Sequence, residues 1–432
     1  MARQNPFMHT ATSRGSSAAV FLCTASLSCL IMWLPVGLPM IESLGAGLLG
    51  AMLLGVLLAR VVGSVKFNSI APVIVFAACS VTSMWLSPLS EISFRRGGLG
   101  LFLVLVFPAA QVVASSARGL IALRLACGIT VLLCAIDIAW EPMFGASLIR
   151  GVPAPIAYRR YEGSLPNPNE AAFLAALMPL AITAISPLTF ARVARSWWSV
   201  MVALAALIGA LLTGSRAILA ALVVGACARS MLGTRVFARA LIVLVLMFAA
   251  VAWIGDIGAF RRRVSDTLAP QNEPRLRTWS IAWDAFLERP MLGQGPAVFF
   301  EINEASRLTQ RAAGWETPAG GMPWVHSVPL ELLCERGVIG FAAMVLVIAC
   351  VVRDLRKAAA QPATRAWAAA LTGSAVALAA MSLVDLSLLK DWCSIVWWLV
   401  AGLAAGLATS AAATAPTIDE PSCAESPPSS TH

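Results

Sequence analysis

The sequence predicts an all-α polytopic membrane protein, and three observations carry that expectation. Hydrophobic residues make up 59% of the 432-residue chain and charged residues only 12%, against roughly a quarter in soluble domains. The apolar residues fall in long continuous runs, and a hydrocarbon core needs about 20 of them per helix. A membrane β-barrel would instead show alternating segments of about ten residues. Cations, almost all of them arginine, recur between alternate apolar runs.

Taken in order, residues 1–17 are polar and form a cytoplasmic amino-terminal tail with Arg3, His9 and Arg14. The run from Ala18 to Leu34 has no A-x-A cleavage site after it, so it is expected to stay as a first span. About 12 spans are expected in all, near 18–36, 43–62, 68–86, 99–116, 119–139, 169–188, 197–212, 216–232, 237–256, 328–352, 366–388 and 392–410. Residues 18–257 thus carry helices 1–9, with a short outer loop at about 140–168. A large, partly helical outer loop occupies 258–327, and helices 10–12 occupy 328–410. The tail at 411–432, rich in Ala, Thr, Pro and Ser, is expected to be disordered.

Orientation follows from basic residues in short loops. With the amino end inside, Arg60/Lys66, Arg118, Arg192/Arg195, Arg229/Arg235/Arg239 and Arg353/Arg356/Lys357/Arg365 all fall inside, and so do both termini. Two outer loops break the rule. Arg150, Arg159 and Arg160 sit in the first, and Arg261, Arg262, Arg263, Arg275, Arg277, Arg289, Arg307 and Arg311 in the second. Long loops can translocate whatever their charge. Binding of an anionic, lipid-linked substrate is the sharper explanation, because arginine grips phosphate bidentately. Asp137, Asp256, Asp385 and Glu331 also lie near the outer ends of spans. Such residues ring a cavity or pair between helices.

Within this frame a few residues can carry chemistry. Arg216 follows Thr-Gly-Ser and opens a helix, where free N–H groups and the dipole favour phosphate; the alternative is an interfacial, snorkelling arginine. Arg275 and Arg277 precede an amphipathic helix marked by Trp279, Ala282, Trp283 and Phe286, lying on or near the membrane surface. Pro290 ends that helix, and Gly293 and Gly295 provide a flexible turn. His326, one of three histidines, stands at the mouth of a span just before Ser327, a suitable N-cap, and Pro329, suited to a first turn. It could bind phosphate or take a proton from a sugar hydroxyl. Glu331 is one turn from Glu335 and near enough to His326 to orient it; Glu335 is followed by Arg336. Ten cysteines form no CxxC pair and read as small buried hydrophobes. No DxD, HExxH, GxSxG or Walker sequence occurs, so no metal, cofactor or nucleic-acid partner is expected.

Four segments together resemble the O-antigen ligase and polymerase superfamily of bacterial inner-membrane glycosyltransferases. They are YEGSLPNPNEAAFLAALMPLAI (161–182), TGSRAILAAL (213–222), PRLRTWSIAWDAFLERPMLGQGPAVF (274–299) and HSVPLELLCERGVIGF (326–341). They are similar to the family's G-x-x-x-N-P-N, G-S-R, R-x-x-x-W…P-x-x-G-x-G and H-x-x-x-L-E…E-x-G-x-x-G blocks, in the same order. The resemblance implies transfer of a glycan from undecaprenyl diphosphate to an acceptor sugar on the periplasmic face, with inversion and without a metal. It implies His326, Arg275 and Arg216 as catalytic residues. Arg277, Arg160, Asn169 and Glu331 would contact the diphosphate or glycan, and Arg277 stands close enough to replace Arg275. The family often has Asn where this chain has Ser327, which leaves an acceptor contact there in question. The expected partners are the lipid-linked donor, a lipid A-core or growing-glycan acceptor, and membrane lipids.

The expectation is therefore an O-antigen ligase-like enzyme of the inner membrane. A polymerase of O-antigen or exopolysaccharide using the same donor is the alternative, followed by a protein O-oligosaccharyltransferase. A flippase would show ionisable residues near the midplane and an internal repeat, and this sequence shows neither.

Overall fold

In the computed structural model, residues 14–36, 45–63, 65–154, 161–165, 167–183, 190–232, 274–312, 324–388 and 390–413 are described, together with single residues at 243, 246, 250 and 254. The described part is helical, as the sequence predicts. Its helices are α1 (Arg14–Trp33), α2 (Ala46–Val61), α3 (Ile70–Trp85), α4 (Ser90–Phe102), α5 (Val106–Ala114), α6 (Ala117–Phe144), α7 (Phe173–Ala181), α8 (Phe190–Leu212), α9 (Arg216–Leu232), α10 (Pro274–Glu288), α11 (Phe299–Ala312), α12 (Val328–Ala360), α13 (Arg365–Ser382) and α14 (Asp391–Ala413). Among the described residues, 5 helices are long and apolar enough to cross a membrane: α1, α4 continued into α5, α6, α12 and α14. Shorter apolar helices at Ala46–Val61, Ile70–Trp85 and Trp197–Leu212 accompany them. The span expected at 237–256, most of the 258–327 loop's first part and the 411–432 tail fall largely outside the described residues.

The helices turn large apolar side chains outward, among them Phe21, Leu54, Ile74, Ile136 and Leu346, and bury small and polar ones. That is the arrangement a lipid solvent favours, since tails are as apolar as leucine and packing has to come from close backbone approach. In α9 and α13, a Cβ on Gly225 would sit 2.8 Å from the Gly373 carbonyl oxygen. Ser374 Oγ donates to the Ala176 carbonyl of α7 at 2.6 Å, and Arg229 at the far end of α9 donates to the Pro179 carbonyl. The three helices are thereby locked side by side, with α13 antiparallel to the other two. From the Gly225–Gly373 contact, α9 runs back to Arg216 over as many residues as α13 runs forward to Ser382. Arg216 and the connection after α13 therefore reach the same end of the bundle.

At that end the chain makes three short structures. The loop after α6 is folded back on its own helix: Asp137 accepts from the Ile149 N–H at 2.9 Å and from the Ser164 N–H, and Glu141 accepts from the Glu162 and Gly163 N–H groups at 2.8 and 2.6 Å. Asp137 was expected to line a cavity or pair between helices; it fastens this loop instead. Asn167 caps a 3-10 turn (Pro168–Ala172), its side chain accepting from the Asn169 N–H at 2.8 Å. Finally, α10 and α11 pack onto the first turns of α12 through Ile281, Ala282, Ala285, Phe299, Val325 and Cys334.

α10 ends at Glu288, just before Pro290, as expected, but the glycines that follow are no flexible turn. The 290–297 strap is hydrogen-bonded into a break in α12 at Gly337, whose φ of 64° and ψ of −170° are non-helical. Gln294 and Gly295 donate to the carbonyls of Cys334 and Glu335, both at 2.9 Å, and Val338 donates back to Pro290 at 2.8 Å. Ser87 and Ser93 donate to the carbonyls of Gln294 and Pro296. A kink that frees helix carbonyls in an apolar setting needs outside donors, and the strap supplies them. A Cβ on Gly293 would stand 2.3 Å from the Glu335 carbonyl carbon; backbone contact of this kind fixes the turn.

Candidate active site

The site is assembled around Asp385, which the sequence marks only as an ionisable residue at a span end. Asp385 lies in the connection between α13 and α14, with its side chain 3% exposed. Its Oδ1 is 3.2 Å from Arg275 Nη2, 3.2 Å from Asn169 Nδ2 and 3.3 Å from His326 Nδ1. Three residues predicted from separate motifs thus converge on one carboxylate oxygen. Arg275 arrives from the first turn of α10, Asn169 from the 3-10 turn, and His326 from the residue before the α12 cap.

His326 has a φ of 57°, a left-handed conformation uncommon outside glycine. The surroundings hold it there: Trp279 Nε1 donates to the Val325 carbonyl at 3.1 Å. Ser327 then takes the N-cap position of α12, with Pro329 in the first turn, as the sequence predicts. Its hydroxyl makes no cap hydrogen bond; the Glu331 N–H is met by the Ser327 carbonyl at 2.8 Å. A carboxylate can only accept, so the hydrogen at His326 lies on Nδ1 and the neutral ring keeps its lone pair on Nε2. Burial pushes the Asp385 carboxyl up, but the His326 hydrogen bond and then the charges of Arg275, His326 and Lys390 outweigh it and hold the group below its ordinary value. The carboxylate is therefore anionic at neutral pH.

Glu331 does not meet His326; among the described residues the carboxylate bonded to the imidazole is Asp385. Fully buried, Glu331 accepts from the Leu388 N–H at 2.9 Å and so holds the 383–390 connection against α12. Glu335 pairs with Arg336 at 3.3 Å, as its sequence neighbour suggests. Arg336 also donates to Ser80 at 3.2 Å and lines a pocket with Phe76, Leu388 and Trp398, to which none of the predicted site residues contributes. Arg277 lies one turn or less from Arg275 on the same half-buried stretch of α10. Arg216 opens α9 two residues after Gly214, whose φ is 61°, at the end of the bundle that carries Asp385. Arg160 lies outside the described residues.

Sequence reasoning missed three members. Asp385 was visible as a carboxylate at a span end but matched no motif. Glu170, next to Asn169, and Lys390, one of three lysines, form an ion pair at 2.7 Å with both side chains buried.

The helical bundle thus gathers an arginine, an aspartate and a histidine at one end, where α10 and α11 pack onto α12. Residues 200–346 match the family described as O-antigen ligase, which places that segment in the O-antigen ligase superfamily. The apolar helices and this likeness point to a membrane protein with a segment similar to a glycosyltransferase-like family. The matched segment holds Arg216, Arg275, Arg277, His326 and Glu331; Asn169 and Asp385 lie on either side of it. No curated protein matches the chain.

Proposed function

We propose that the chain is an O-antigen ligase-like glycosyltransferase that moves a glycan from undecaprenyl diphosphate to a lipid A-core sugar at the periplasmic face of the inner membrane. The observation that carries this reading is the convergence of Arg275, Asn169 and His326 on Asp385 within 3.3 Å. His326 Nε2 takes the proton of the acceptor hydroxyl as its oxygen bonds to the donor's anomeric carbon. The bond from that carbon to the diphosphate oxygen breaks, and the diphosphate leaves with the electron pair. Attack opposite the leaving group inverts the anomeric centre. Arg275 and Arg216 stabilise the charge that grows on the diphosphate, with Arg277 and Arg160 as further contacts to it, so the reaction needs no metal. Asp385 holds the imidazole and stabilises the imidazolium. Both termini are cytoplasmic in this reading, and the 258–327 loop is periplasmic.

The function is tested by the surface glycans of a deletion strain, run beside its lipid-linked glycan pool. Bare lipid A-core with long polymer left on undecaprenyl diphosphate is the expected result. Core bearing a single repeat unit would make the chain an O-antigen polymerase, and loss of a separate exopolysaccharide an exopolysaccharide polymerase. Glycan trapped on the cytoplasmic face would sink the enzymatic reading.

The two arginines of α10 are separable. Arg275→Ala should lower kcat by about 10²–10³-fold, the loss typical when one oxyanion-stabilising donor is removed. Arg277→Ala should cost less, since Arg275 is the one anchored on Asp385. A larger loss at Arg277, measured as in vitro transfer by inserted protein, would move the diphosphate contact there.

A further inference from the structure

The Lys390–Glu170 pair is built into the site from three directions. Lys390 Nζ lies 2.7 Å from Glu170 Oε1, with the side chains 5% and 6% exposed. Trp392 donates its indole N–H to the other oxygen of Glu170. The Lys390 ammonium also stands 4.9 Å from the centre of the Trp324 ring, close enough for a cation–π contact. That ring meets His326 edge to face, centroids 6.4 Å apart. Glu170 is the neighbour of Asn169, which donates to Asp385, and Lys390 follows Asp385 within the same connection. Every segment that carries the His326–Asp385 couple is therefore in contact with, or continuous with, this pair.

Bulk alone does not call for charge here. Two buried ions lose their hydration, and apolar side chains of the same volume often brace a structure as well or better. We propose that Lys390 and Glu170 are positioning residues for proton transfer, a matched charge pair that holds the register of Asn169 and Asp385 while leaving the protonation of His326 unbiased. The inference rests on the reading of His326 as proton acceptor. Among the described residues, Arg275 from α10 meets Asp385 directly, while Glu331 from α12 acts on Lys390 and Asp391 from the start of α14 acts on Glu170. Lys390 favours the Asp385 carboxylate, after the larger effects of burial, His326 and Arg275, and opposes a positive imidazole; Glu170 does the reverse. Together they nearly cancel, and each alone would not.

The chain has three histidines, His9, His326 and His432, so the imidazole resonances of the labelled full-length protein in nanodiscs are few. His326 is identified by its loss in His326→Gln. Lys390→Met should raise the midpoint of the His326 titration, because Glu170 is left uncompensated. Glu170→Gln should lower it, and the double variant should fall between them. The shifts should be at least a few tenths of a unit, below the roughly 1–3 units of a charge in direct contact. Transfer assays should show the acid limb of kcat moving in the same directions, with KM nearly constant and with recovery in Lys390→Arg. Should Lys390→Met fail to insert, a lowered midpoint in Glu170→Gln that returns in the double variant carries the same test. Shifts of one sign in both single variants, or none in either, would reduce the pair to a brace and overturn the proposal. The expected midpoints in a wild-type protein that transfers no glycan would leave the pair's electrostatic role standing and remove the proposed function.

Discussion

An Asp385→Asn variant should insert and fold but transfer glycan about 10²–10⁴-fold more slowly than the parent, the range lost when a general base or its orienting carboxylate fails. The substitution keeps the shape of the side chain, so the fall would report charge and hydrogen bonding. Three donors converge on Oδ1, from Arg275, Asn169 and His326. An amide oxygen can still accept from them, but it cannot offset the Arg275 charge or stabilise an imidazolium. The amide can also rotate its NH₂ toward the imidazole and favour the wrong tautomer. The loss should fall on kcat, with donor KM changed far less. A double variant with His326→Ala should be little worse than either single one, because residues that act as a unit lose their effect once. Near-parental transfer by Asp385→Asn would mean that the backbone and Trp279 suffice to aim His326.

Why His326, Arg275 and Asn169 could be read from sequence while Asp385 could not is a matter of where each one stands. The first three sit in or beside local structures with their own signals. Ser327 and Pro329 open a helix after His326, Pro290 closes the helix whose first turn holds Arg275, and Asn167 caps the turn that carries Asn169. Asp385 occupies an irregular connection of eight residues between α13 and α14 (383–390), whose shape comes from Glu331 and Ser394 rather than from its own residues: Glu331 accepts from the Leu388 N–H, and Ser394 donates to the Leu388 carbonyl. The partners of Asp385 lie 59, 110 and 216 positions away, and no periodicity records them. The same limit applies to Lys390, and to Asp137, whose position suggested a shared cavity although its acceptors are used within one loop. The glycines were misread for a related reason. Gly293 and Gly295 look like flexibility in one dimension, and only the folded chain shows that Gly293 lets two backbones touch beside the break at Gly337 while Gly295 makes room for Ser87 and Ser93.

Gly337→Ala should have the largest effect on the fold of any single methyl added here. Gly337 has φ 64° and ψ −170°, a region essentially closed to residues with a Cβ, at a cost of about 1–3 kcal/mol. The added carbon would also fall 2.3 Å from the Met291 carbonyl oxygen and 2.6 Å from the Leu292 nitrogen. Neither atom is the end of a flexible side chain, so relief means withdrawing the strap or straightening α12. Either movement breaks the Val338–Pro290 hydrogen bond of 2.8 Å and strips the kinked helix of its outside donors and acceptors. Together these losses reach several kcal/mol, a large share of a net stability of about 5–15 kcal/mol. The consequence reaches the chemistry because the strap joins α10 to α11, and α10 carries Arg275. A shifted strap moves Arg275 off Asp385, while His326, on the other side of the break, stays with α12. The expected result is a lower yield of inserted protein, a thermal midpoint several degrees below the parent, and loss of transfer in whatever folds. Gly98→Ala is the matched control, since a Cβ there meets nothing within 4 Å; it should melt and transfer as the parent does. If Gly337→Ala does the same, the strap does not hold the break, and the placement of Arg275 must come from α10 packing alone.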